Sequence, residues 1–559
     1  MTALYNRILF ISSSIIVSTL CNLALFSDIL LSTSNSICLF EGYTITFNEK
    51  TLFLAKTSYM ALSIFTTIFL SNLLSKHFLV QKTNPKTQSS LENVNSFDIR
   101  IGKSIETNED IIIPEKGLYQ NLLITGTIGT GKTSSAMYPI LYQLLSLNMG
   151  MLILDVKGNF YKKVLELNKG FNRDVIVIEI NGKYKYNPLD KPNLKASVLA
   201  NRLRTILTLF SNQQVTDTYW LDKVEIYLTE CIKLCRLYNN NYVTFIELHK
   251  LINNYDYLKE KLSIVKQRFI KNELNSSQIY DFNTLLDFFQ SEYLSLDSKV
   301  LSIIQSEISR ITQLFITDKD VSNTFCPPKN TNNFTNFNVN SNQIVVLNMN
   351  VAEYRNLSKV IATYLKLDFQ SSVLMRLAKD SNFSPLAFLC DEYHEYVTEN
   401  DADFYAQSRE AKCISIVSTQ SYTSLLKTLK DPQTTKVIVQ NLVNKIWFRN
   451  DDIFTIEEAQ KQLGKEDKTK LIRSISENAK ETNYSYILKT FKSDNSSLSE
   501  SLTTSIYHDF IYDINSFSRE LKTFQAICFI SNGKEILKPQ KIILSPDISI
   551  YQKNKKSEN

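Results

Sequence analysis

The sequence predicts an α/β protein built on a mostly parallel sheet, with an all-helical insertion and a membrane-crossing helical hairpin at its N-terminus. Three observations predict this. Short apolar runs recur along the chain with helical stretches between them. A glycine-poor chain places three of its 12 glycines within six positions, at Gly126, Gly129 and Gly131. Two uncharged runs, of 19 and 18 residues, stand near the front.

Composition sets the bounds. At 559 residues the chain exceeds one ordinary domain, and 43% hydrophobic residues are enough for real cores, which excludes wholesale disorder. A formal charge of +6 is mild and neither demands nor forbids a nucleic-acid partner. The eight cysteines are scattered without a CxxC pair, which fits small buried side chains in a reducing compartment rather than a disulfide framework.

The front of the chain reads as a membrane anchor over residues 1–80. Ile8–Phe26 and Thr57–Leu74 are each long enough to cross a hydrocarbon core as a helix. No small-x-small cleavage site stands out, and a second span follows, which argues against a cleavable leader. Arg7 lies before the first span, and Lys76, Lys82 and Lys86 after the second; these flanks place both ends in the cytoplasm, although Lys50 and Lys56 dilute the asymmetry. The expected location is a cell membrane with the bulk of the chain cytoplasmic. The polar stretch Gln81–Ser96 reads as a tether.

The glycine cluster carries the clearest chemistry. Gly126-x-x-x-x-Gly131-Lys132-Thr133 follows the apolar "NLLIT", read as a buried strand, and precedes "SSAMYPILYQLL", read as a helix. That is the phosphate-binding loop pattern. Glycines let successive N–H groups converge on phosphate oxygens at the positive end of a helix. The expected cradle for ATP is Gly126, Thr127, Ile128, Gly129, Thr130, Gly131, Lys132, Thr133 and Ser134. Lys132 would neutralise the β- and γ-phosphates, and the Thr133 hydroxyl would ligate Mg²⁺.

Such a loop needs an acidic partner on a neighbouring strand. "SPLAFLCDEYHEY" (Ser384–Tyr396) supplies an apolar run ending in Asp391 and Glu392. Asp391 fits the metal-holding position, and Glu392 is placed to polarise an attacking water as general base. His394 reads as a solvated or packing residue in preference to a ligand. Further strands are expected in Gly150–Phe160, running into Asp155, and in Asp174–Ile180, Asn342–Asn350 and Cys413–Gln420. Ligands sit at the carboxyl ends of parallel strands, where Asp155, Asp391 and Gln420 all fall.

These motifs together resemble one family, the TraG/TraD-type coupling ATPases of type IV secretion and conjugation, within the FtsK–HerA group of RecA-like motors. The resemblance is carried by the two-span N-terminus, the loop at 126–133, "DVKGNFY", "KYNPLD", "DTYWLDKVEIYLTECIKL", "FLCDEYHEY" and "SREAKCISIVSTQSYTSL". "NLVNKIWFRNDD" and "LKTFQAICFISNGKEILKPQKIILSP" extend it, from about residue 110 to 546. It implies a RecA-like ATPase in two parts, 81–211 and 341–546, an all-helical domain over 212–340 and a disordered tail over 547–559. It implies that Gln420 is a polar sensor and that Arg409 is presented to a neighbouring subunit's nucleotide in a homo-hexamer; the plain reading of Arg409 is an ion pair with Glu410 or another acid. It also implies single-stranded DNA with an attached relaxase as cargo, and secretion-channel components as partners. The sequence departs from the family pattern at Asn159, where an acidic residue usually follows "D-x-K-G".

The helical insertion has support of its own, since no glycine occurs between Gly182 and Gly464. Within it, Asp217 is a plausible N-cap, and Trp220, Val224, Tyr227, Leu228, Cys231 and Cys235 share a helical face and read as core. The cations of "KEKLSIVKQRFIK" (Lys259–Lys271) suit a solvated face or DNA phosphates. Two other functions stay open: a receptor ATPase for protein cargo, and a nucleotide-gated membrane scaffold, against which Glu392 counts because a pure switch needs no base.

Overall fold

The computed structural model describes residues 36–40, 43–46, 53, 57, 97–210, 218–293, 295–339, 341–378, 383–478, 484–485, 490–491 and 497–551. It forms two units, residues 1–95 and 96–559. In the first, strands β1 (Ser36–Phe40) and β2 (Tyr43–Thr46) pair antiparallel within the expected connection between the membrane spans. Ile8–Phe26, the Thr57–Leu74 run after Thr57, and the tether lie outside the described residues. Among the described residues no helix is long and apolar enough to cross a membrane.

The second unit is organised by one sheet of 11 strands. In chain order these are β3 (Asp98–Ser104), β4 (Asp110–Pro114), β5 (Leu122–Thr125), β6 (Gly150–Asp155), β7 (Val175–Ile178), β8 (Ile344–Asn348), β9 (Leu386–Cys390), β10 (Cys413–Thr419) and β11 (Asn444–Phe448). A two-stranded ribbon, β12 (Lys465–Asn478) with β15 (Ser497–Phe510), and a short pair, β13 (Tyr484–Ser485) with β14 (Thr490–Phe491), come next. The chain then returns to the sheet as β16 (Gln525–Phe529) and β17 (Gln540–Ile543). The spatial order is β4-β3-β17-β16-β11-β5-β10-β9-β6-β8-β7. Every pairing from β11 to β7 is parallel, and those from β4 to β11 are antiparallel.

Sequence explains the division. The parallel strands read LLIT, GMLILD, VIVI, IVVLN, LAFLC, CISIVST and NKIWF, nearly unbroken apolar runs, because helices cover both faces. Leu122 and Ile124 point into one apolar cluster, and Leu123 into the other. The antiparallel β3 and β4 alternate between buried and less buried positions, as strands with one wetter face do.

Among the described residues, the polypeptide between β7 and β8 forms seven α-helices, from Ala196–Phe210 to Lys319–Phe325. Their starts carry the expected caps. Thr244, Asn254, Asp297 and Asp318 each accept a backbone N–H, and Asn275 with Gln278 forms a capping box. Without glycine, asparagine takes the left-handed turns: Asn240, Asn241 and Asn272 all have φ near +50 to +60°. One face of helix Thr218–Tyr238 is buried through Val224, Tyr227, Leu228, Cys231 and Cys235. Trp220 differs from the expectation. It is only half-buried, near the helix start, where it packs edge-on against exposed Tyr219 at 5.1 Å. Asp217 lies outside the described residues. The Lys259–Lys271 cations already have partners at two positions: Lys261 pairs with Glu260 and lies over the Tyr257 ring, and Arg268 pairs with Glu273.

Lys445 on β11 is 1% exposed, and its Nζ donates to the carbonyls of Leu442 at 2.9 Å and Val443 at 3.4 Å. Burial pulls its pKa down to about 7. An unfolded lysine keeps its proton to about pH 10.4. Unfolding therefore takes up a proton between roughly pH 7 and 10, so this group makes stability rise with pH across that window. Below pH 7 the folded state carries the full cost of a buried ammonium. We expect Lys445→Met to flatten the rise, its gain in melting temperature over wild type being largest at pH 6–7 and smallest near pH 10. Parallel wild-type and variant melting curves across that range would refute the assignment.

Candidate functional site

The site is built where β5, β10, β9 and β6 end. β5 stops at Thr125, and the loop from Gly126 turns into a helix that runs from Lys132 to Leu145, its first six residues wound as a π-helix. Gly131 has φ 101°, and a Cβ there would stand 2.5 Å from the Phe524 ring. Only glycine meets both conditions. The loop is tied down from three sides. Gly126 N–H donates to Gln420 O at 3.2 Å, Thr127 N–H to Arg449 O at 2.9 Å, and Thr130 O accepts from Phe524 N–H at 3.1 Å. Gly129, in contrast, has open space where a Cβ would be, and Ile128 is 80% exposed. The hydroxyls of Thr130 and Ser134 bond within the loop, to Thr127 O and Gly131 O.

Lys132 is folded back into this loop, its Nζ donating to Gly126 O at 2.6 Å and Thr127 O at 3.1 Å. Burial lowers its pKa, against the pull of Glu392 and Asp391. A buried ammonium held only by carbonyls, beside a loop with room for a ligand, fits a phosphate group in charge and in place.

The Thr133 hydroxyl donates to Asp391 Oδ2 at 2.9 Å, joining the ends of β5 and β9 across β10. The Ser418 hydroxyl, on β10, donates to Asp391 Oδ1. A hydroxyl and a carboxylate so placed are the donor set for a Mg²⁺ that takes its remaining oxygens from phosphate and water. Among the described residues no group of three or more His, Cys, Asp or Glu side chains could hold a metal without such help.

Glu392 follows with φ 50° and ψ 46°, left-handed for a non-glycine residue. Such a conformation costs about 1–3 kcal/mol and persists only where the surroundings impose it. Its Oε1 receives the Lys157 ammonium at 2.6 Å. Its Oε2 lies 3.5 Å from Gln420 Nε2 and 3.7 Å from His394 Nδ1. Burial raises the Glu392 pKa, but the Lys157 hydrogen bond and the charges of Lys157, His394 and Lys132 outweigh it, and the net shift is downward. Burial likewise opposes the charge on Lys157, and Glu392 and Asp391 more than restore it.

The residues expected from sequence separate into three groups. Lys132, Thr133, Asp391, Glu392 and Gln420 meet at one edge, as the carboxyl-end rule requires. Asp155 reaches the same edge, but its oxygens accept the backbone N–H groups of Lys157, Gly158 and Tyr161, shaping the turn into helix Phe160–Asn168. Asn159 precedes that helix without a side-chain cap bond. Arg409 stands apart, exposed just before β10, with Nη2 donating to Gly533 O at 3.3 Å. The seven residues of β10 span roughly 23 Å and separate Arg409 from its own phosphate loop. Sequence reasoning missed Lys157 and Ser418. Lys157 stood inside "DVKGN", a segment read for its acid and its asparagine. His394, expected to be a solvated or packing residue, bonds Thr419 Oγ1 at 3.1 Å and lies beside the base candidate.

A model of the family described as type IV secretory system conjugative DNA transfer matches residues 72–326, which include the phosphate loop and most of the helices between β7 and β8. Over these residues, a little under half of its length, the chain is similar to that family. The solved structures it resembles agree in fold. The bacterial conjugative coupling protein TrwBdeltaN70, in a trigonal form with sulphate, superposes with a TM-score of 0.53 at 13% identity, covering 81% of this chain and 94% of that one. TrwB with the GTP analogue GDPNP gives 0.52 at 13% identity over 80% and 90% of the two chains. TrwB with ADP and Mg²⁺ gives 0.51 at 14% over 81% and 94%. No curated protein matches the sequence. Asp391, Glu392, Arg409 and Gln420 lie beyond the family match.

Proposed function

We propose that this chain is a coupling protein, an ATP-hydrolysing motor that recruits DNA, with an attached relaxase, and drives it to a type IV secretion channel from the cytoplasmic face of a bacterial membrane. The observation that carries the chemistry is the Thr133–Asp391 contact with Glu392 beside it. The family match supplies conjugative DNA transfer as the setting. The TrwB structures with ADP and Mg²⁺, and with a nucleoside triphosphate analogue, support the same ligands here.

In this reading Lys132 leaves the carbonyls of Gly126 and Thr127 for the β- and γ-phosphate oxygens, and the loop N–H groups cradle them. Thr133 and Asp391 would hold Mg²⁺, whose chemistry there would be to neutralise charge on the phosphates. Glu392 accepts the proton of the attacking water, and Gln420, within reach of Glu392, helps orient that water. Arg409 faces outward from the far edge of the sheet, which suits a role at a neighbour's nucleotide and hence a ring, a homo-hexamer in this family. The runs Ile8–Phe26 and Thr57–Leu74 anchor the motor through the tether, and the helices within 212–340 form a cargo-facing domain.

The test is ATP hydrolysis by residues 82–559 with and without single-stranded DNA. Stimulation by DNA, with binding that weakens steeply as salt rises, is the expected result. Hydrolysis without any DNA binding at low salt would instead support a receptor for protein cargo.

A further inference from the structure

We propose that Lys157 is a latch on Glu392: in the nucleotide-free chain it holds the base carboxylate in a resting orientation, and turnover requires its release. The inference rests on the reading of Glu392 as the general base. Lys157 Nζ lies 2.6 Å from Glu392 Oε1, closer than Gln420 and His394, which face Oε2, and Lys132 also acts on that carboxylate. An oxygen engaged by an ammonium at that distance is a poor proton acceptor, because taking a proton would break a charge-assisted bond. The Glu392 backbone is itself left-handed, with φ 50° and ψ 46°.

Lys157 itself can move. Its side chain is 51% exposed, whereas that of Glu392 is 9% exposed. It sits on the short turn after β6, between Asp155 and Gly158, where Gly158 has φ 74°. That turn leans on the one after β8: Val351 N–H donates to Val156 O at 2.9 Å, and a Cβ on Gly158 would lie 3.3 Å from Asn350 Cβ. The β8 turn leads into a helix containing Arg355, exposed and strained at φ 42°, ψ −116°. Motion of this outer turn would therefore be transmitted to Lys157, which links events at the sheet edge to the readiness of the base. Lys157 acts through Glu392 and is a positioning residue.

The experiment is a double-mutant cycle on residues 82–559, using Lys157→Met, Glu392→Gln and the pair, read by thermal unfolding with and without a non-hydrolysable ATP analogue and Mg²⁺. Non-additivity of a few degrees without nucleotide, lost when the analogue is bound, is expected. Lys157→Met should also hydrolyse ATP several-fold faster than wild type in the absence of DNA at unchanged KM, and Lys157→Arg should restore the low rate. Coupling that persists with the analogue, or Lys157→Met turnover at or below wild type, would overturn the latch. If Lys157→Met unfolds, Lys157→Gln replaces it in the same cycle. The base reading fails separately, by normal hydrolysis in Glu392→Gln, whatever the coupling shows.

Discussion

Glu392→Gln should bind ATP as the wild type does and hydrolyse it about 10²–10⁴ times more slowly, the usual worth of a positioned general base. Glutamine keeps the shape and can still accept a hydrogen bond from Lys157, but it cannot take a proton from water. Binding should survive because Lys132 and Thr133, rather than Glu392, meet the phosphates. A filter-binding or fluorescence titration beside a phosphate-release assay separates the two effects, and an undiminished rate would remove Glu392 from the mechanism. The same variant tests the ring. Arg409→Ala subunits should also bind ATP and turn over slowly if, as proposed, the guanidinium serves a neighbour's site. Mixing the two variants creates some interfaces that join an intact Glu392 site to an intact neighbouring Arg409, so activity should partly return. The long strand between Arg409 and its own phosphate loop makes the alternative, action within one subunit, sterically remote. No recovery under proven subunit exchange would mean that Arg409 does not act across an interface.

Asp368→Ala should be among the most destabilising single changes in the chain. Asp368 is 3% exposed, and it holds Lys191 Nζ at 2.7 Å on Oδ2 and Arg202 Nη1 at 2.9 Å on Oδ1. These partners come from different places: the loop after β7, helix Ala196–Phe210 and helix Val351–Leu374. Burial lowers the Lys191 pKa, with Asp368 supplying the chief opposing pull. Removing the carboxylate leaves two buried cations, of which Lys191 keeps hydrogen bonds to the neutral partners Asn336 and Thr335. Breaking a buried pair in this way costs about 3–5 kcal/mol, or a fall in melting temperature of roughly 6–20 °C at about 2–4 °C per kcal/mol. Glu166→Ala, which breaks the surface pair with Lys163, is the control and should change little. A melting shift for Asp368→Ala no larger than that of Glu166→Ala would show that the network carries no stability.

The parallel half of the sheet was legible because a strand covered on both faces must be apolar throughout. Leu122–Thr125, Gly150–Asp155, Leu386–Cys390 and Cys413–Thr419 announce themselves as short hydrophobic runs. The antiparallel half was less so. Asp98–Ser104 and Asp110–Pro114 alternate and sit beyond a polar tether, while Gln525–Phe529 and Gln540–Ile543 stood inside a recognised motif without being read as strands.

By itself the sequence determined the phosphate loop, the acidic pair and the side of the sheet on which they meet. Glycine spacing and an apolar run ending in Asp-Glu are local properties, and a parallel strand presents its last residue at its carboxyl edge whatever its neighbours do. Only the tertiary structure decided which side chains touch across strands far apart in the chain. The order β5-β10-β9-β6 brings Ser418 to Asp391 and Lys157 to Glu392, 27 and 235 residues apart in sequence. It also sends Arg409, only 17 positions after Glu392, to the opposite edge, since the helix Asn400–Gln407 carries the chain back to where β10 begins. Strand order follows from which helices can cover which faces, a balance of packing over the whole domain that no short stretch of sequence encodes.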